Sequence, residues 1–417
     1  MIRHSKTLRT AATVAFSLLL LPLSTTALAQ DIFQFSGNDG SQPVGNLSLD
    51  SAGNMYGMTS GGGADGIGTA FELMPLPGGG WKQVVLRSFH GRDGFYPGAG
   101  LILDSLGNLY GVTPSGGPNG DGCGLALELL PAANGDWSER VLHYFDCTHG
   151  KSPQGPLLLD ASGDLYGTTS FGGDGSCGYM GCGIVYELIP SENGKWVKKT
   201  LHAFNGNDGE DPAGGLVFDK DGDLYGFTSD LFQSSHGTIF ELIPLLDGKW
   251  RRSVLHRFQG PDGAYPAGGL IIDMEGNLYG VTPYGGVYAT SDCHPLGCGL
   301  VFKLTRNHNR WTETILYAFS GLDGANPVGV IFDSYGNLYG TTSRGGTYND
   351  GTVFKLSPET GGHWSETLLH TFDLKDPTDG AFPAGGVAFG DDAAGNLYGT
   401  TEFGGQYGAG VVYEVSP

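Results

Sequence analysis

Hydrophobic and polar positions follow one arrangement along this chain, and that arrangement recurs seven times. A clear copy is LIIDMEGNLYG at residues 270–280, which contains an apolar triplet, an aspartate, a short polar turn and Leu-Tyr-Gly. The tyrosines of the seven copies are Tyr56, Tyr110, Tyr166, Tyr225, Tyr279, Tyr339 and Tyr398. Their spacing of 54 to 60 residues gives a period of about 57, which indicates a repeat architecture.

Each unit contains four strand-like runs separated by Gly, Pro, Asn or Asp. In the fifth unit the runs are GLIID (269–273), NLYGVT (277–282), GLVFKL (299–304) and WTETILYAF (311–319). The first run is apolar on both sides of the pleat, so both faces of its sheet must be covered. Sheets packed face to face around an axis meet this requirement and leave only short edges. The pattern therefore predicts the blades of a propeller.

The two ends of the chain complement each other. The fourth run opens with Trp in six units, at Trp81, Trp137, Trp196, Trp250, Trp311 and Trp364. The seventh unit ends before a fourth run, but DIFQFSG at residues 31–37 matches the end of that run. We predict an all-β fold, a seven-bladed β-propeller of four-stranded antiparallel blades. The N-terminal strand completes the last blade and closes the ring, which removes exposed edges. A β-solenoid is the alternative, although it would need caps rather than complementary ends.

The repeat resembles a known family. The pattern DxxGNLYGTTxxGG occurs at residues 333–346, followed by GTVFKL at 351–356, Trp364 and a His-to-Gly-Gly segment at 370–386. This is similar to the GloVer (Gloeo/Verruco) tandem repeat of exported bacterial proteins, over essentially all of residues 31–417. The resemblance implies export and a β-propeller-like repeat fold. It supplies no established catalytic residue that could be transferred to this chain.

Residues 1–29 have the features of a signal peptide. Arg3, Lys6 and Arg9 form a basic start, an apolar core follows, and Ala27-Leu28-Ala29 is a small-x-small cleavage pattern. We expect cleavage before Gln30, a single propeller domain over residues 30–417, and a secreted or periplasmic protein. An uncleaved anchor is the alternative. No second apolar segment appears, so no membrane span is expected after cleavage.

The charge balance restricts the partners. Loss of the three basic leader residues lowers the formal net charge from −21 to −24. Such an acidic body repels nucleic acid and anionic membranes, and it suits cations or neutral ligands. Solubility alone also explains the acidity. We expect a monomer without a nucleic-acid partner.

Six cysteines in an exported chain indicate disulfides. Two pairs lie five residues apart, so the simplest pairing is Cys177–Cys182 and Cys293–Cys298, which leaves Cys123 with Cys147. Zinc binding is the alternative, but no Cys-x-x-Cys pair supports it.

Three sets of recurring polar residues are candidates for chemistry. The first is the turn aspartate, which is either a Ca²⁺ ligand or a cap on its own turn. Its members are Asp50, Asp104, Asp160, Asp219, Asp273, Asp333 and Asp392. The second is the aspartate of an Asp-Gly loop after the fourth run, at Asp39, Asp93, Asp208, Asp262, Asp323 and Asp379. The third comprises His143, His202, His256 and His370, with Arg87 and Tyr317 at equivalent positions. Histidine suggests general acid-base work or metal ligation, but a position that also accepts Arg and Tyr favours inter-blade hydrogen bonding. Apart from Ca²⁺, no cofactor is indicated.

Departures from the repeat are better candidates for a ligand site than its consensus. The fourth unit replaces its Gly-Gly loop with SDLFQSSH, and the fifth carries an enlarged loop at 284–296. The predicted ligand-binding residues are Asp230, Phe232, His236, Tyr284, Tyr288, Asp292 and His294. No Ser-His-Asp spacing, phosphate loop or HExxH motif indicates a reaction.

The function expected from these features is binding. We predict an exported non-catalytic binding or scaffold protein that recognises a glycan or another cell-surface molecule. The alternative is a propeller enzyme, a hydrolase or lyase that acts on polysaccharide through paired acids. If the turn aspartates and the Asp-Gly aspartates lie on one face of the propeller, a functional acidic site is favoured. If they lie on opposite faces, a role in forming their own turns is favoured.

Overall fold

In the part of the chain that it describes, the computed structural model contains seven β-sheets of four or five strands and one short 3₁₀ helix, Gly178–Met180. It describes residues 29–118, 122–173, 177–230, 235–286, 293, 295–308, 310–390 and 395–417. In every sheet the strands pair antiparallel. The predicted seven-bladed β-propeller is confirmed.

The first four blades are continuous in sequence. Blade 1 contains β2 (Ser41–Leu49), β3 (Met55–Gly61), β4 (Thr69–Pro75) and β5 (Trp81–Ser88). Blade 2 contains β6 (Ile102–Leu103), β7 (Leu109–Thr113), β8 (Leu125–Pro131) and β9 (Trp137–Tyr144). Blade 3 contains β10 (Lys151–Pro153), β11 (Leu158–Leu159), β12 (Leu165–Phe171), β13 (Ile184–Pro190) and β14 (Trp196–Ala203). Blade 4 contains β15 (Val217–Phe218), β16 (Leu224–Thr228), β17 (Thr238–Pro244) and β18 (Trp250–Arg257).

The last three blades complete the ring, and the seventh includes the N-terminal strand. Blade 5 contains β19 (Ala267–Ile272), β20 (Leu278–Thr282), β21 (Leu300–Asn307) and β22 (Arg310–Ala318). Blade 6 contains β23 (Ala325–Phe332), β24 (Leu338–Arg344), β25 (Thr352–Pro358) and β26 (Trp364–Thr371). Blade 7 contains β27 (Gly380–Pro383), β28 (Ala388–Phe389), β29 (Leu397–Gly404), β30 (Val411–Val415) and β1 (Gln30–Gln34).

The N-terminal strand closes the ring as predicted. Strand β1 pairs antiparallel with β30, with Gln30 opposite Glu414 and Gln34 opposite Val411. The buried Phe35, which follows β1, belongs to a cluster that also contains Phe71 of blade 1. The first and last blades are therefore joined by one strand and by one shared hydrophobic core.

The core lies between blades as well as within them. In one cluster Phe227 and Ile239 of blade 4 pack with Leu270 and Phe302 of blade 5, and all four are almost fully buried. The second and third strands of each blade are buried along most of their length. Because each sheet covers its neighbours, the two-sided apolar pattern of the sequence is satisfied.

A glycine and a proline interlock at every junction between successive blades. A Cβ added to the glycine would lie 2.5–2.7 Å from the proline Cδ of the next blade. The pairs are Gly410–Pro43, Gly68–Pro97, Gly124–Pro153, Gly183–Pro212, Gly237–Pro266, Gly299–Pro327 and Gly351–Pro383. In each pair the residue before the proline donates its N–H to the carbonyl of the residue before the glycine, over 2.7–3.0 Å. We call this unit the Gly-Pro lock.

Breaking one lock should destabilise the whole ring. Gly237 has φ +99°, and an added Cβ would also lie 2.6 Å from the Thr228 carbonyl oxygen. Gly237→Ala should therefore lower the free energy of unfolding by about 3 kcal/mol or more, through backbone strain and overpacking. Gly248→Ala is the matched control, because Gly248 also has positive φ but nothing within 4 Å of an added Cβ. It should cost about 1 kcal/mol. Urea denaturation measures both changes, and equal losses of unfolding free energy in the two variants would contradict a structural role for the Gly-Pro lock.

Candidate functional site

The two sets of recurring aspartates lie at opposite ends of the inner strand. Asp39 precedes β2 and Asp50 follows it. A strand rises about 3.3 Å per residue, so the nine residues of β2 separate the two carboxylates by roughly 30 Å. The Asp-Gly loops and the turn aspartates therefore occupy opposite faces of the propeller. This dispersal favours turn formation over a shared acidic site.

The turn aspartates are engaged by their own turns. Oδ1 of Asp104 accepts N–H bonds from Leu106 and Asn108, both at 2.8 Å, and Oδ2 accepts from Asn108 Nδ2 and from the Tyr110 hydroxyl. Burial alone would raise the pKa of Asp104, but these hydrogen bonds hold it below its usual value. The same backbone bonds recur at Asp50, Asp160, Asp219, Asp273 and Asp333.

The signature tyrosine connects that turn to the third strand. In blade 1 the Tyr56 hydroxyl lies 3.1 Å from both Asp50 Oδ2 and Glu72 Oε1. Burial and the two carboxylates raise the pKa of Tyr56 above its usual value. Among the described residues, no turn aspartate belongs to a group of three His, Cys, Asp or Glu residues close enough to share an ion. Asp392 lies outside the described residues, and calcium binding stays a prediction.

The recurring His position forms a polar junction between the outer strands of successive blades. Its side chain contacts the Asp-Gly aspartate in the pairs Arg87–Asp93, His202–Asp208, His256–Asp262, Tyr317–Asp323 and His370–Asp379. A residue of the next outer strand completes the junction, as when Arg252 Nε lies 3.1 Å from Asp208 Oδ2. Blade 2 differs, because there Asp146 pairs with His149 and burial lowers the pKa of His143 to about 4.

A ring of seven residues on the Asp-Gly face is held in an unusual backbone conformation. These residues immediately precede the lock prolines and have φ between 53° and 58°. We call them the ring residues: Gln42, Tyr96, Ser152, Asp211, Tyr265, Asn326 and Phe382. A left-handed conformation costs a non-glycine residue roughly 1–2 kcal/mol, and here the lock hydrogen bonds offset it. The backbone is thus constant around the ring, while the side chains include aromatic, amide, hydroxyl and acidic groups.

A cleft lies beside the ring between blades 4 and 5. It has a volume of about 280 Å³ and is lined by Phe227 and Ser229 from blade 4 and by Tyr265, Pro283 and Tyr284 from blade 5. The rings of Tyr265 and Tyr284 pack edge to face with centroids 5.9 Å apart. The cleft therefore combines aromatic walls with a few polar groups, as small-molecule sites generally do.

The cleft adjoins a cavity on the propeller axis. This cavity, of about 480 Å³, is lined by the inner segments of all seven blades, including Gly45, Leu101 and Val330. Ala213 and Gly268 line both the cavity and the cleft. A ligand in the cleft would consequently reach the mouth of the axial cavity.

Blade 4 also carries three buried acids on the Asp-Gly face, close to the cleft. Glu210, Asp211 and Asp230 each expose 5% or less of their surface. Asp230 Oδ1 accepts the Glu210 N–H at 2.6 Å, and Oδ2 accepts a bond from Ser235. Burial, together with the charges of Glu210 and Asp230, raises the pKa of Asp211, although a hydrogen bond with Ser170 opposes the shift.

Three of the seven predicted ligand-binding residues fall in the described part of the chain, and all three lie at or near the cleft. Tyr284 lines it, and the His236 ring lies 5.8 Å from Tyr265. The Asp230 carboxylate accepts hydrogen bonds from the Glu210 N–H and from Ser235. Phe232, Tyr288, Asp292 and His294 lie outside the described residues.

Sequence reasoning missed Tyr265 and Asp211, whereas Ser229 opens the SDLFQSSH segment that it singled out. A signal was present, because the position before the lock proline is the most varied one in an otherwise regular segment.

The three predicted disulfides are present: Cys123–Cys147, Cys177–Cys182 and Cys293–Cys298, with Cα separations of 5.2, 5.1 and 4.8 Å. Structural disulfides indicate an extracellular or periplasmic protein. Cys123, Cys182 and Cys298 each precede a lock glycine, so the disulfides anchor three of the seven locks. Within the described residues, no helix is long and apolar enough to cross a membrane.

Fold and repeat together define a closed seven-bladed propeller built from one tandem unit. The Gloeobacter/Verrucomicrobia repeat matches residues 14–181, 121–292 and 174–413, and the chain belongs to that family. No curated protein matches the sequence.

Two solved structures resemble the fold. A luciferin-regenerating enzyme is similar with a TM-score of 0.43 and 13% identity, over 94% of this chain and 95% of that one. A protein of unknown function from Dyadobacter fermentans gives a TM-score of 0.42 and 12% identity, over 82% of this chain and 98% of that one. Neither likeness bears on the function of this chain.

The role of the turn aspartates can be tested at Asp104. Asp104→Ala removes four accepted hydrogen bonds, so it should lower the free energy of unfolding by about 2–4 kcal/mol. Asp136→Ala, in the exposed turn between β8 and β9, is the control. Millimolar calcium should leave the denaturation midpoint of the wild type unchanged. A calcium-dependent rise that disappears in Asp104→Ala would instead establish a calcium ligand.

The junction between blades 5 and 6 should make stability depend on pH. Burial, and then the Asp323 charge, raise the pKa of Glu366 to about 7 from an ordinary 4.5. The folded protein therefore holds a proton that the unfolded chain releases, and stability falls as pH rises through this window. We compare the free energy of unfolding of Glu366→Gln with that of wild type. The difference should favour the variant by about 1–2 kcal/mol more at pH 8 than at pH 5, after allowance for solvent screening. Urea denaturation measures this difference. Glu359→Gln, on an exposed turn, should show none, and a pH-independent difference for Glu366→Gln would refute the assignment.

Proposed function

We propose that this protein is an exported, non-catalytic binding module that holds a neutral glycan in the cleft between blades 4 and 5. One observation carries the proposal. The ring residues keep one constrained backbone conformation while their side chains differ, so the ring face presents variable groups on a rigid support. Rigid placement of variable side chains is typical of recognition surfaces.

The chemistry of the cleft suits a sugar. The aromatic faces of Tyr265 and Tyr284, with Pro283 beside them, provide apolar area for the C–H face of a pyranose. Their hydroxyl groups and the nearby Ser229 are polar groups able to bond sugar hydroxyls. Ser229 already donates to the Pro266 carbonyl, which fixes its orientation. An apolar platform with a few oriented polar groups gives a site both affinity and specificity.

The charge of the protein selects among glycans. A formal net charge of −21 for the full chain, together with the buried acids of blade 4, disfavours polyanions such as uronic-acid polymers. A neutral hexose polymer avoids that repulsion. The predicted leader and the disulfides support a location where such polymers occur, outside the cytoplasm.

An enzyme acting on polysaccharide is the second candidate, and one observation favours it. Asp211 is a buried acid with a raised pKa that stands near Glu210 and Asp230. Glycosidases pair an acid that stays protonated with one that is ionised. However, Asp230 is committed to Glu210 and Ser235, and neither it nor Asp211 lines the cleft. Binding is therefore the better-supported function.

The test begins with an array of neutral oligosaccharides, and the strongest binder is then titrated by calorimetry. Tyr265→Ala and Tyr284→Ala should each weaken binding at least tenfold, because burial of an aromatic side chain contributes about 1.5–3 kcal/mol. Tyr335→Ala is the control, since Tyr335 is 88% exposed on the opposite face. Equal affinity in all variants, or no neutral glycan bound, would refute the proposal. Release of reducing sugar during titration would favour the enzyme.

A further inference from the structure

The junction between the outer strands of blades 4 and 5 gathers one histidine and two acids. His256 lies on β18, Asp262 in the loop that follows it, and Glu313 on β22 of the next blade. Nε2 of His256 is 3.3 Å from Asp262 Oδ2 and 3.6 Å from Glu313 Oε2. All three potential ligand atoms lie within 4.8 Å of one another.

Two of the atoms at this junction are buried without a hydrogen bond. Within the described residues, neither His256 Nε2 nor Glu313 Oε1 has a partner with hydrogen-bond geometry. The side chains of His256 and Glu313 are 19% and 11% exposed. Burying polar atoms in this way costs about 1–3 kcal/mol each unless another partner satisfies them. The histidine nitrogen lies within 3.6 Å of both carboxylates and makes a hydrogen bond to neither.

The other junctions show what this one lacks. Between blades 3 and 4, Arg252 takes the position of Glu313 and pairs with Asp208. Between blades 1 and 2, the Arg87 guanidinium lies between Asp93 and Glu139. Among the ion pairs of the described residues, Asp262 and Glu313 contact only His256. Two acids and a histidine thus meet where these two junctions have an arginine.

We propose that His256, Asp262 and Glu313 bind a divalent transition-metal ion, with Zn²⁺ as the best match, and that this ion clamps blade 4 to blade 5. Zinc bound at 2.0–2.2 Å in tetrahedral geometry sets its ligand atoms about 3.3–3.5 Å apart. The two nitrogen–oxygen distances of 3.3 and 3.6 Å agree with that spacing. One imidazole and two carboxylates balance the charge of the ion and leave a fourth position for water.

The ion would take the place that Arg87 and Arg252 occupy at their junctions. Asp262 keeps 29% of its side chain exposed, which gives a hydrated ion a way in. The junction is on the outer strands, whereas the glycan cleft adjoins the axial cavity, so the metal site is independent of the proposed function. Because the ligands come from two blades, binding should stabilise the folded ring by mass action.

The test uses the full-length protein freed of metal by dialysis against a chelator and then titrated with ZnSO₄. Calorimetry should show one strong site per chain, and saturating zinc should raise the denaturation midpoint. Glu313→Arg recreates the Arg252 junction and should weaken zinc binding by about 100-fold or more, since loss of a ligand exceeds the usual cost of losing its supporting contacts. His256→Tyr, which recreates the Tyr317 junction, should do the same.

Glu366→Arg is the matched control, because it makes the same substitution one blade further on, where Tyr317 replaces the histidine. It should keep wild-type zinc affinity and the zinc-dependent rise in the midpoint. Equal zinc affinity in Glu313→Arg, His256→Tyr and wild type would overturn the proposal, as would the absence of strong binding to folded wild type.

Discussion

The contact between a glycine of one blade and a proline of the next is the constraint on which the ring depends. It requires a residue without Cβ on one side and a residue without N–H on the other, as at Gly237 and Pro266. The hydrogen bond from the residue before the proline fixes the register of the two blades. Since the unit recurs at all seven junctions, a small geometric rule closes the whole propeller.

That lock also explains where the protein can vary. The residue before each proline is forced to positive φ, which steric repulsion ordinarily disfavours before proline. The strain is tolerated because the neighbouring blade over-determines the conformation. Nothing in the lock constrains the side chain, so Tyr265, Asp211 and Phe382 occupy equivalent positions. Structural constancy and chemical variety therefore coincide on one face.

The polar network divides into two kinds of contact. The turn aspartates and signature tyrosines stabilise each blade from within, on the face opposite the ring residues. The outer junctions join blades, and they use whichever charges the chain supplies, such as Arg252 with Asp208. Where two acids meet, as at Asp323 and Glu366, burial makes the junction depend on protons. At Asp262 and Glu313 we infer that a bound metal ion, rather than a proton, offsets the charge of the two acids.

The sequence by itself determined the blade count, the four runs per blade, the closing strand and the disulfides. Each of these follows from period, alternation or cysteine spacing, which are local in the chain. It also indicated Tyr284, His236 and Asp230 as departures from the repeat. Only the tertiary structure decided that Tyr265 stands beside Tyr284, and that Asp39 and Asp50 face opposite ways. The reason is physical: the ring residues adopt a conformation that their own local preferences oppose, and only the adjacent blade imposes it.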